Sequence, residues 1–310
     1  MSKILVELHD TMFGGFKSFG GPLLPLPDLP FEWDRSGTRR EIAVFTDASL
    51  LEAERRNDCY KVAWLLESPR NTRPEYRWLG RNPLLFDRVL TFEQNFLENL
   101  PRARFSPCGG CWLAKEGWKI HPKTQNLSTI VSEKRAMPGQ KLRHEVIQKH
   151  AAAFDAILGR GFREIDDKIE GLKDYRYSLA IENCRQNFYF TEKIIDCFMT
   201  GTVPIYWGCP SIGLFFDKEG IITFEHPRDL GLILEHIGPE DYERRLPAVH
   251  RNFERAHRYF YPDIYAWENI RDLFAGLDQG VPDHLVASRF LAEPFFEKSS
   301  TACLNEAGTG

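Results

Sequence analysis

The stretch Tyr175–Ile212, YRYSLAIENCRQNFYFTEKIIDCFMTGTVPIYWGCPSI, decides the fold. It reads as strand, loop, helix, strand, loop, with polar residues gathered at the turns. Ser178–Ile181 is a short apolar run closed by the polar pair Glu182–Asn183. Thr191 can cap a helix, Ile194, Ile195 and Phe198 follow at helical spacing, and Gly201 can end it. Val203–Trp207 is a second apolar strand, stopped by Gly208 and Pro210. Two apolar strands joined by one helix make a parallel unit. Ligands of such units lie beyond the carboxyl ends of the strands, beside the helix N-terminus. That rim would hold Glu182, Asn183, Tyr189, Thr191, Glu192, Lys193 and Gly208. Polar groups converging at a helix start predict a nucleotide or phosphate site.

Outward from this stretch, the chain divides into two α/β units. Residues 116–285 form one, with expected strands at Leu127–Val131, Phe154–Leu158 and Gly220–Phe224 and a helix from Lys141. Tyr242–Phe260 is expected to be helical, with Pro262 interrupting it before a last helix over Ile264–Ala275. Residues 1–115 form the other, with strands at Ile4–Leu8, Ile42–Phe45, Lys61–Leu66 and Arg88–Thr91. Gly14–Pro30 is rich in glycine and proline and reads as a loop. Residues 286–310 read as a C-terminal tail that ends small and polar.

With 43% hydrophobic residues and a net charge of −4, the 310-residue chain is expected to be soluble and globular. No run approaches the roughly 20 apolar residues that a membrane span needs. Acidic and polar residues interrupt MSKILVELHD, so it is read as a first strand and not as a signal peptide. The seven cysteines are odd in number and scattered, which points to reduced thiols in a reducing compartment. Cys108-Gly109-Gly110-Cys111 is a C-x-x-C pair without two further ligands at zinc spacing, and reads as a glycine turn with two packed thiols.

The central stretch resembles the donor-binding signature of glycosyltransferase family 10, the α-1,3/1,4-fucosyltransferases. The matching pieces are Tyr175-Arg176-Tyr177, Glu182-Asn183, Tyr189, Thr191-Glu192-Lys193 and Val203-Pro204-Ile205-Tyr206-Trp207-Gly208. The resemblance implies a GT-B-like α/β fold: two Rossmann-like domains with the active site in the cleft between them. Residues 1–115 would bind the acceptor and 116–285 the nucleotide-sugar donor. The absence of a D-x-D triplet points the same way. The resemblance further implies a GDP-fucose donor, a glycan acceptor, no required cofactor and no essential divalent cation. Animal members carry a membrane anchor that this chain lacks, so a cytoplasmic member of bacterial or viral type is expected. No nucleic-acid partner is implied, and oligomeric state is left open.

Glycosyl transfer needs a base for the acceptor hydroxyl, positive charge for the leaving diphosphate, and alignment of the two substrates. Glu67 follows five apolar residues in KVAWLLESP, so it sits at the carboxyl rim of the first unit, where the family has its catalytic glutamate. Read alone it is an exposed strand-end residue before a Pro69 turn. Arg143 is expected in the first turn of its helix, matching a family arginine that neutralises diphosphate, with Ser132 and Lys134 in the preceding loop. Eight Lys or Arg against three Glu between Lys115 and Lys149 fit that role, or a solvated helix face. By resemblance Glu192 takes the ribose hydroxyls, Lys193 the diphosphate, and Tyr189 and Asn183 the nucleoside. Glu182 is either a second carboxylate in the cleft or a structural partner of a backbone amide.

Three other readings stand beside this one. A transferase of the same fold could use a different nucleotide sugar, because residues that hold phosphate and ribose do not read the sugar. A binding protein could keep the site and transfer nothing; a base at Glu67 argues against it. A dinucleotide-dependent oxidoreductase would need a G-x-G-x-x-G loop, which the sequence lacks.

Overall fold

Strands covered on both faces need unbroken apolar runs, and IAVFT, YKVAW and VPIYW supply them. The computed structural model describes residues 3–274 apart from 15, 25 and 26. The expected tail at 286–310, and Ala275 at the end of the last expected helix, lie outside the described residues. The first sheet is built from β1 (Ile4–His9), β2 (Phe31–Asp34), β3 (Ile42–Thr46), β4 (Tyr60–Trp64), β5 (Arg88–Thr91) and β6 (Ala103–Phe105). Its order is β2-β1-β3-β4-β5-β6, parallel throughout. Helix α1 (Arg73–Arg81) joins β4 to β5, and α2 (Gln94–Asn99) joins β5 to β6.

The second sheet comprises β7 (Gln125–Ile130), β8 (Ala156–Leu158), β9 (Tyr175–Ile181), β10 (Val203–Trp207) and β11 (Ile222–Thr223). It is also parallel, in the order β11-β10-β9-β7-β8. Helix α3 (Pro138–His150) connects β7 to β8, and α4 (Glu192–Thr200) connects β9 to β10. The register sets Ile181 level with Trp207, so β9 and β10 end together and Glu182 is the first residue beyond them. Helices α5 (Leu230–His236), α6 (Pro239–Ala256) and α7 (Pro262–Ile270) follow.

Most differences from the expected elements lie at boundaries. The expected break at Pro262 is present: the preceding helical stretch ends at Tyr259, and Pro262 opens α7 at the first helical position, where its missing N–H costs nothing. Strand β2 follows the expected Gly14–Pro30 loop directly and is only four residues long. Helix α3 begins at Pro138, three residues before the expected start at Lys141, for the same reason that proline suits a first turn.

The two sheets share one core. Val6, Trp64 and Leu90 of the first sheet belong to the same buried cluster as Ile194 and Phe198 of α4 and Trp267 of α7. Trp267 stacks on Phe31 with ring centroids 5.0 Å apart. A turn at Cys108–Trp112 forms the seam. The Gly109 amide donates to the Phe190 carbonyl (3.2 Å), Gly110 to Tyr259 (2.8 Å) and Cys111 to Gly20 (2.8 Å). The Trp112 amide donates to the Asp196 carboxylate (2.8 Å). Both glycines sit at positive φ, and a Cβ at Gly109 would stand 2.2 Å from the Tyr259 oxygen, so only glycine fits.

Asp263 on α7 is fully buried and collects donors from the first half. It accepts from Ser18 Oγ at 2.6 Å, the Phe19 amide at 3.1 Å and Trp33 Nε1 at 2.7 Å. Burial raises its pKa, opposed by these three hydrogen bonds. Removing the carboxyl leaves three donors without an acceptor, and an unsatisfied buried donor costs about 1–3 kcal/mol. Asp263→Ala is therefore expected to lower stability by roughly 3 kcal/mol or more, read as a lower urea midpoint. Asp263→Asn, which keeps a carbonyl oxygen, should lose less.

Candidate active site

In a parallel sheet, neighbouring connections that leave in opposite directions open a crevice at the strand ends. The second sheet has this arrangement at β7, which lies between β8 and β9. A cavity of about 720 Å³ occupies that position. Its walls come from the segment after β7 (Val131, Ser132, Lys134), the segment after β8 (Gly159, Arg160) and the end of β9. Helices α3 and α4 add Arg143, Glu192 and Lys193. Five sequence-derived candidates thus meet around one cavity: Ser132, Lys134, Arg143, Glu192 and Lys193.

Thr191 caps α4, accepting from the Lys193 amide, while its own amide and hydroxyl donate to the two Glu182 oxygens at 2.9 and 2.8 Å. Glu182 is wholly buried and is not among the residues lining the cavity; both of its oxygens accept from Thr191. Its job is to fix the start of α4. Lys193 Nζ lies 3.0 Å from Thr191 Oγ1 and 3.3 Å from Glu192 Oε1.

Lys168, Asp196 and Trp112 also line the cavity and were not found by sequence reading. Lys168 Nζ binds Asp196 Oδ2 at 2.9 Å, approaches Glu192 Oε1 at 3.5 Å and stands 4.6 Å from the Trp112 ring centroid. Burial pushes the Glu192 pKa up, but the Lys193 and Lys168 ammoniums together outweigh it and hold it down at about 2. Asp196 is raised, because burial outweighs its attraction to Lys168. Glu192 is thus an ionised carboxylate before any ligand arrives, flanked on the cavity wall by two ammoniums, those of Lys193 and Lys168.

Arg143 requires a correction. It lies in the second turn of α3, not the first, because the helix starts at Pro138. Its guanidinium is mostly buried and donates from Nε to the Ile181 carbonyl at 2.9 Å; Nη2 reaches the same carbonyl and Asn183 Oδ1 at 3.2 Å. Arg143 therefore ties α3 to the end of β9 as well as lining the cavity. Asn183 is its partner and is not on the cavity wall. Tyr189 is buried against Phe92, with centroids 5.1 Å apart, and is also off the wall.

Glu67 comes from the other sheet. Strand β4 ends at Trp64 and Glu67 follows three residues later, half-buried at the carboxyl rim. Burial raises its pKa; the Asn71 side chain and Lys193 lower it, and Glu192 raises it. The carboxyl is thus within electrostatic reach of the charges carried on α4, although Glu67 is not among the residues lining the cavity. The nearby Cys108 thiol donates to the Leu66 carbonyl at 2.8 Å, and burial pushes its pKa well up, so it is a packed thiol and a poor nucleophile.

Two parallel sheets whose ligand rims meet across a cleft are the GT-B fold of glycosyltransferases. A solved α1,3-fucosyltransferase with GDP is similar to this chain at a TM-score of 0.52, with 16% identity over 84% of this chain and 90% of that one. An Anabaena protein, Alr3699/HepE, in complex with UDP-glucose is similar at 0.56, with 12% identity over 75% and 78%. Residues 120–241 match the family described as glycosyltransferase family 10 (fucosyltransferase) C-term. Over those residues the chain is similar to glycosyltransferase family 10. A Helicobacter pylori α-(1,3)-fucosyltransferase is 33% identical over 73 residues, 24% of this chain and 15% of the relative. Human GDP-fucose protein O-fucosyltransferase 3 is 34% identical over 97 residues, 30% of this chain and 18% of the relative. The matched stretches therefore span less than a fifth of the length of these curated relatives.

The Lys168 bridge can be checked by Lys168→Met, which keeps the stem and removes the charge. Asp196 and Glu192 would then share a buried site with one cation fewer. Breaking a buried pair costs about 3–5 kcal/mol, and partial exposure of Lys168 places the expected loss near the lower figure. The loss should be largest at pH 7 and smaller at pH 4–5, where protonation of the variant's Asp196, already raised by burial and no longer lowered by Lys168, removes one of the two like charges. Urea titrations at the two pH values read this out.

Proposed function

We propose that the protein transfers fucose from GDP-fucose to a hydroxyl of an acceptor glycan with inversion at the anomeric carbon, in the manner of an α-1,3-fucosyltransferase. The observation that carries this reading is the cavity at the β7 crossover, walled by Glu192 and Lys193 within the stretch that matches the fucosyltransferase family. A cavity of about 720 Å³ is within the range of small-ligand sites and of a size for a sugar nucleotide.

In this reading Glu192 accepts hydrogen bonds from the ribose hydroxyls, and Lys193, Arg143 and Lys134 address the diphosphate. Ser132 adds a hydroxyl donor. Asn183 and Tyr189 act from behind the wall, through Arg143 and the packing of the α4 entry. Glu67 takes the proton of the acceptor hydroxyl. The freed oxygen pair forms the new bond to the anomeric carbon as the bond from that carbon to the β-phosphate oxygen breaks, and GDP leaves with the electron pair of the broken bond. Negative charge builds on the diphosphate beside fixed cations and the α4 amides, which need no rearrangement to meet it. Those cations do the work often given to a divalent metal, so we propose that no cofactor or divalent ion is essential. The half made by residues 1–115 takes the acceptor, and the half made by 116–285 takes the donor. Among the described residues no helix is long and apolar enough to cross a membrane. Six described cysteines are free thiols, which supports a cytoplasmic setting. The named relatives differ in acceptor, one of them acting on protein, so an acceptor panel should contain glycans and peptides.

GDP-fucose and GDP are expected to stabilise the protein by about 2.7 kcal/mol at 100-fold over their dissociation constants, and UDP far less. Thermal-shift titration of a nucleotide-sugar panel checks this, and equal shifts with UDP and GDP would remove the guanine assignment. The shifts and the transfer activity should both survive EDTA.

Glu67→Gln keeps the shape of the base and removes its proton affinity. Transfer should fall by roughly 10²–10⁴-fold, while GDP-fucose affinity in calorimetry stays near native. A general base works when ionised, and burial raises the Glu67 pKa. The native rate should therefore climb with pH through a limb above the ordinary carboxylate range, and the variant should lack that limb.

A further inference from the structure

Glu67 lies beyond the last paired residue of β4, so the sheet ladder does not set its direction. Two side chains from elsewhere do. Asp47 Oδ1 accepts from the Glu67 amide at 3.1 Å and the Leu66 amide at 3.2 Å, and Oδ2 approaches the Leu66 amide at 3.3 Å. The Tyr76 hydroxyl of α1 donates to the Glu67 carbonyl at 2.9 Å. Both peptide groups flanking the Glu67 side chain are thereby held.

Asp47 is an expensive residue to keep in that place. It follows the last residue of β3, opens a 3-10 turn over Asp47–Arg55 and has φ of 31°, in the left-handed region that few side chains adopt. Its carboxyl is fully buried, and no lysine or arginine bonds to it among the described residues. Burial, joined by the Glu67 and Asp10 charges, raises its pKa to about 8 against the two amide hydrogen bonds. Tyr76 and Cys108 are the other titratable groups that feel its charge. A strained backbone and a buried carboxyl persist where the surroundings over-determine them, and they cluster at working sites. Asp47 sits beside β4 in the sheet order, one strand away from the residue it holds.

We propose that Asp47, together with the Tyr76 hydroxyl, is a positioning residue for the transfer reaction: it holds the Leu66–Glu67 main chain so that the Glu67 carboxyl faces the donor cavity. It touches neither substrate and acts through Glu67. The proposal rests on Glu67 being the base, and the test separates the two ideas.

Asp47→Ala, Asp47→Asn, Tyr76→Phe and Glu67→Gln are made in the full chain, alone and with Glu67→Gln as background, and assayed with GDP-fucose and an acceptor. A misplaced base should lower kcat in Asp47→Ala by about 10–10²-fold with the donor KM unchanged. Asp47→Asn, whose amide oxygen can still accept from both main-chain amides, should recover most of the rate. On the Glu67→Gln background Asp47→Ala should lower kcat no further. Native kcat in Asp47→Ala overturns the proposal, as does an equal fall on both backgrounds, which would mark a general structural role. If Asp47→Ala does not fold, Tyr76→Phe carries the same test: a several-fold fall on the native background and none on Glu67→Gln supports the proposal, and native kcat overturns it. Native kcat in Glu67→Gln itself removes the base and this proposal together, whereas a slow Glu67→Gln with a fast Asp47→Ala removes only the role of Asp47.

Discussion

Four consecutive amides, those of Gly109, Gly110, Cys111 and Trp112, hold together segments that lie far apart in the sequence: Phe190, Tyr259, Gly20 and Asp196. This turn sets the width of the cleft, because it fixes the first sheet to the start of α4, to the residues before α7 and to the loop before β2. Three of the bonds run from main chain to main chain, so no side-chain rotation can relieve them; the fourth ends on the Asp196 carboxylate. Glycine is required at the two positive-φ positions, since a Cβ would collide with the carbonyls being bound. The cavity, the α4 start and the Glu67 rim keep their mutual geometry because this seam keeps its own.

On the cavity side the charges are arranged before a ligand is present. Glu192 stands between Lys193 and Lys168, and Asp196 balances Lys168 from within the wall. A carboxylate so flanked keeps its charge down to about pH 2, so its hydrogen-bond acceptors are available throughout the physiological range. Lys168 also lies over Trp112, so the same ammonium links the cavity wall to the seam. Dipoles and charges that are already in place need no reorganisation when new charge develops.

Much of the second half could be read directly from residue order. Thr191, the 194/195/198 apolar spacing and Gly201 bracket α4 because capping and periodicity are local effects, and the helix runs Glu192–Thr200 between them. The apolar runs of β4, β5 and β10 are equally local signals. What escaped was tertiary. Lys168, Asp196 and Trp112 come from three segments with no common spacing, and only folding brings them to one wall. Arg143 falls a turn later than a start at Lys141 implies, because Pro138 opens the helix, and proline at a first position is itself a sequence signal. Tyr189 and Asn183 share the signature stretch with cavity residues but point to packing and to Arg143, a distinction that linear spacing cannot make. Residue order alone leaves the direction of Glu182 open; the fold sets both of its oxygens on Thr191.

The placement of α7 has a consequence for how the chain comes into being. Its Trp267 covers Phe31, and its Asp263 satisfies Trp33, Ser18 and Phe19, so the last described helix closes a face of the first sheet. Synthesis runs from the N-terminus, and domains ordinarily finish folding in the order in which they emerge. Here residues 4–105 can pair their strands early, yet they leave the ribosome with an aromatic face uncovered until some 160 further residues have followed. The N-terminal half is thus the first to be made and among the last to be completed, and for that interval it depends on whatever shields nascent chains from one another.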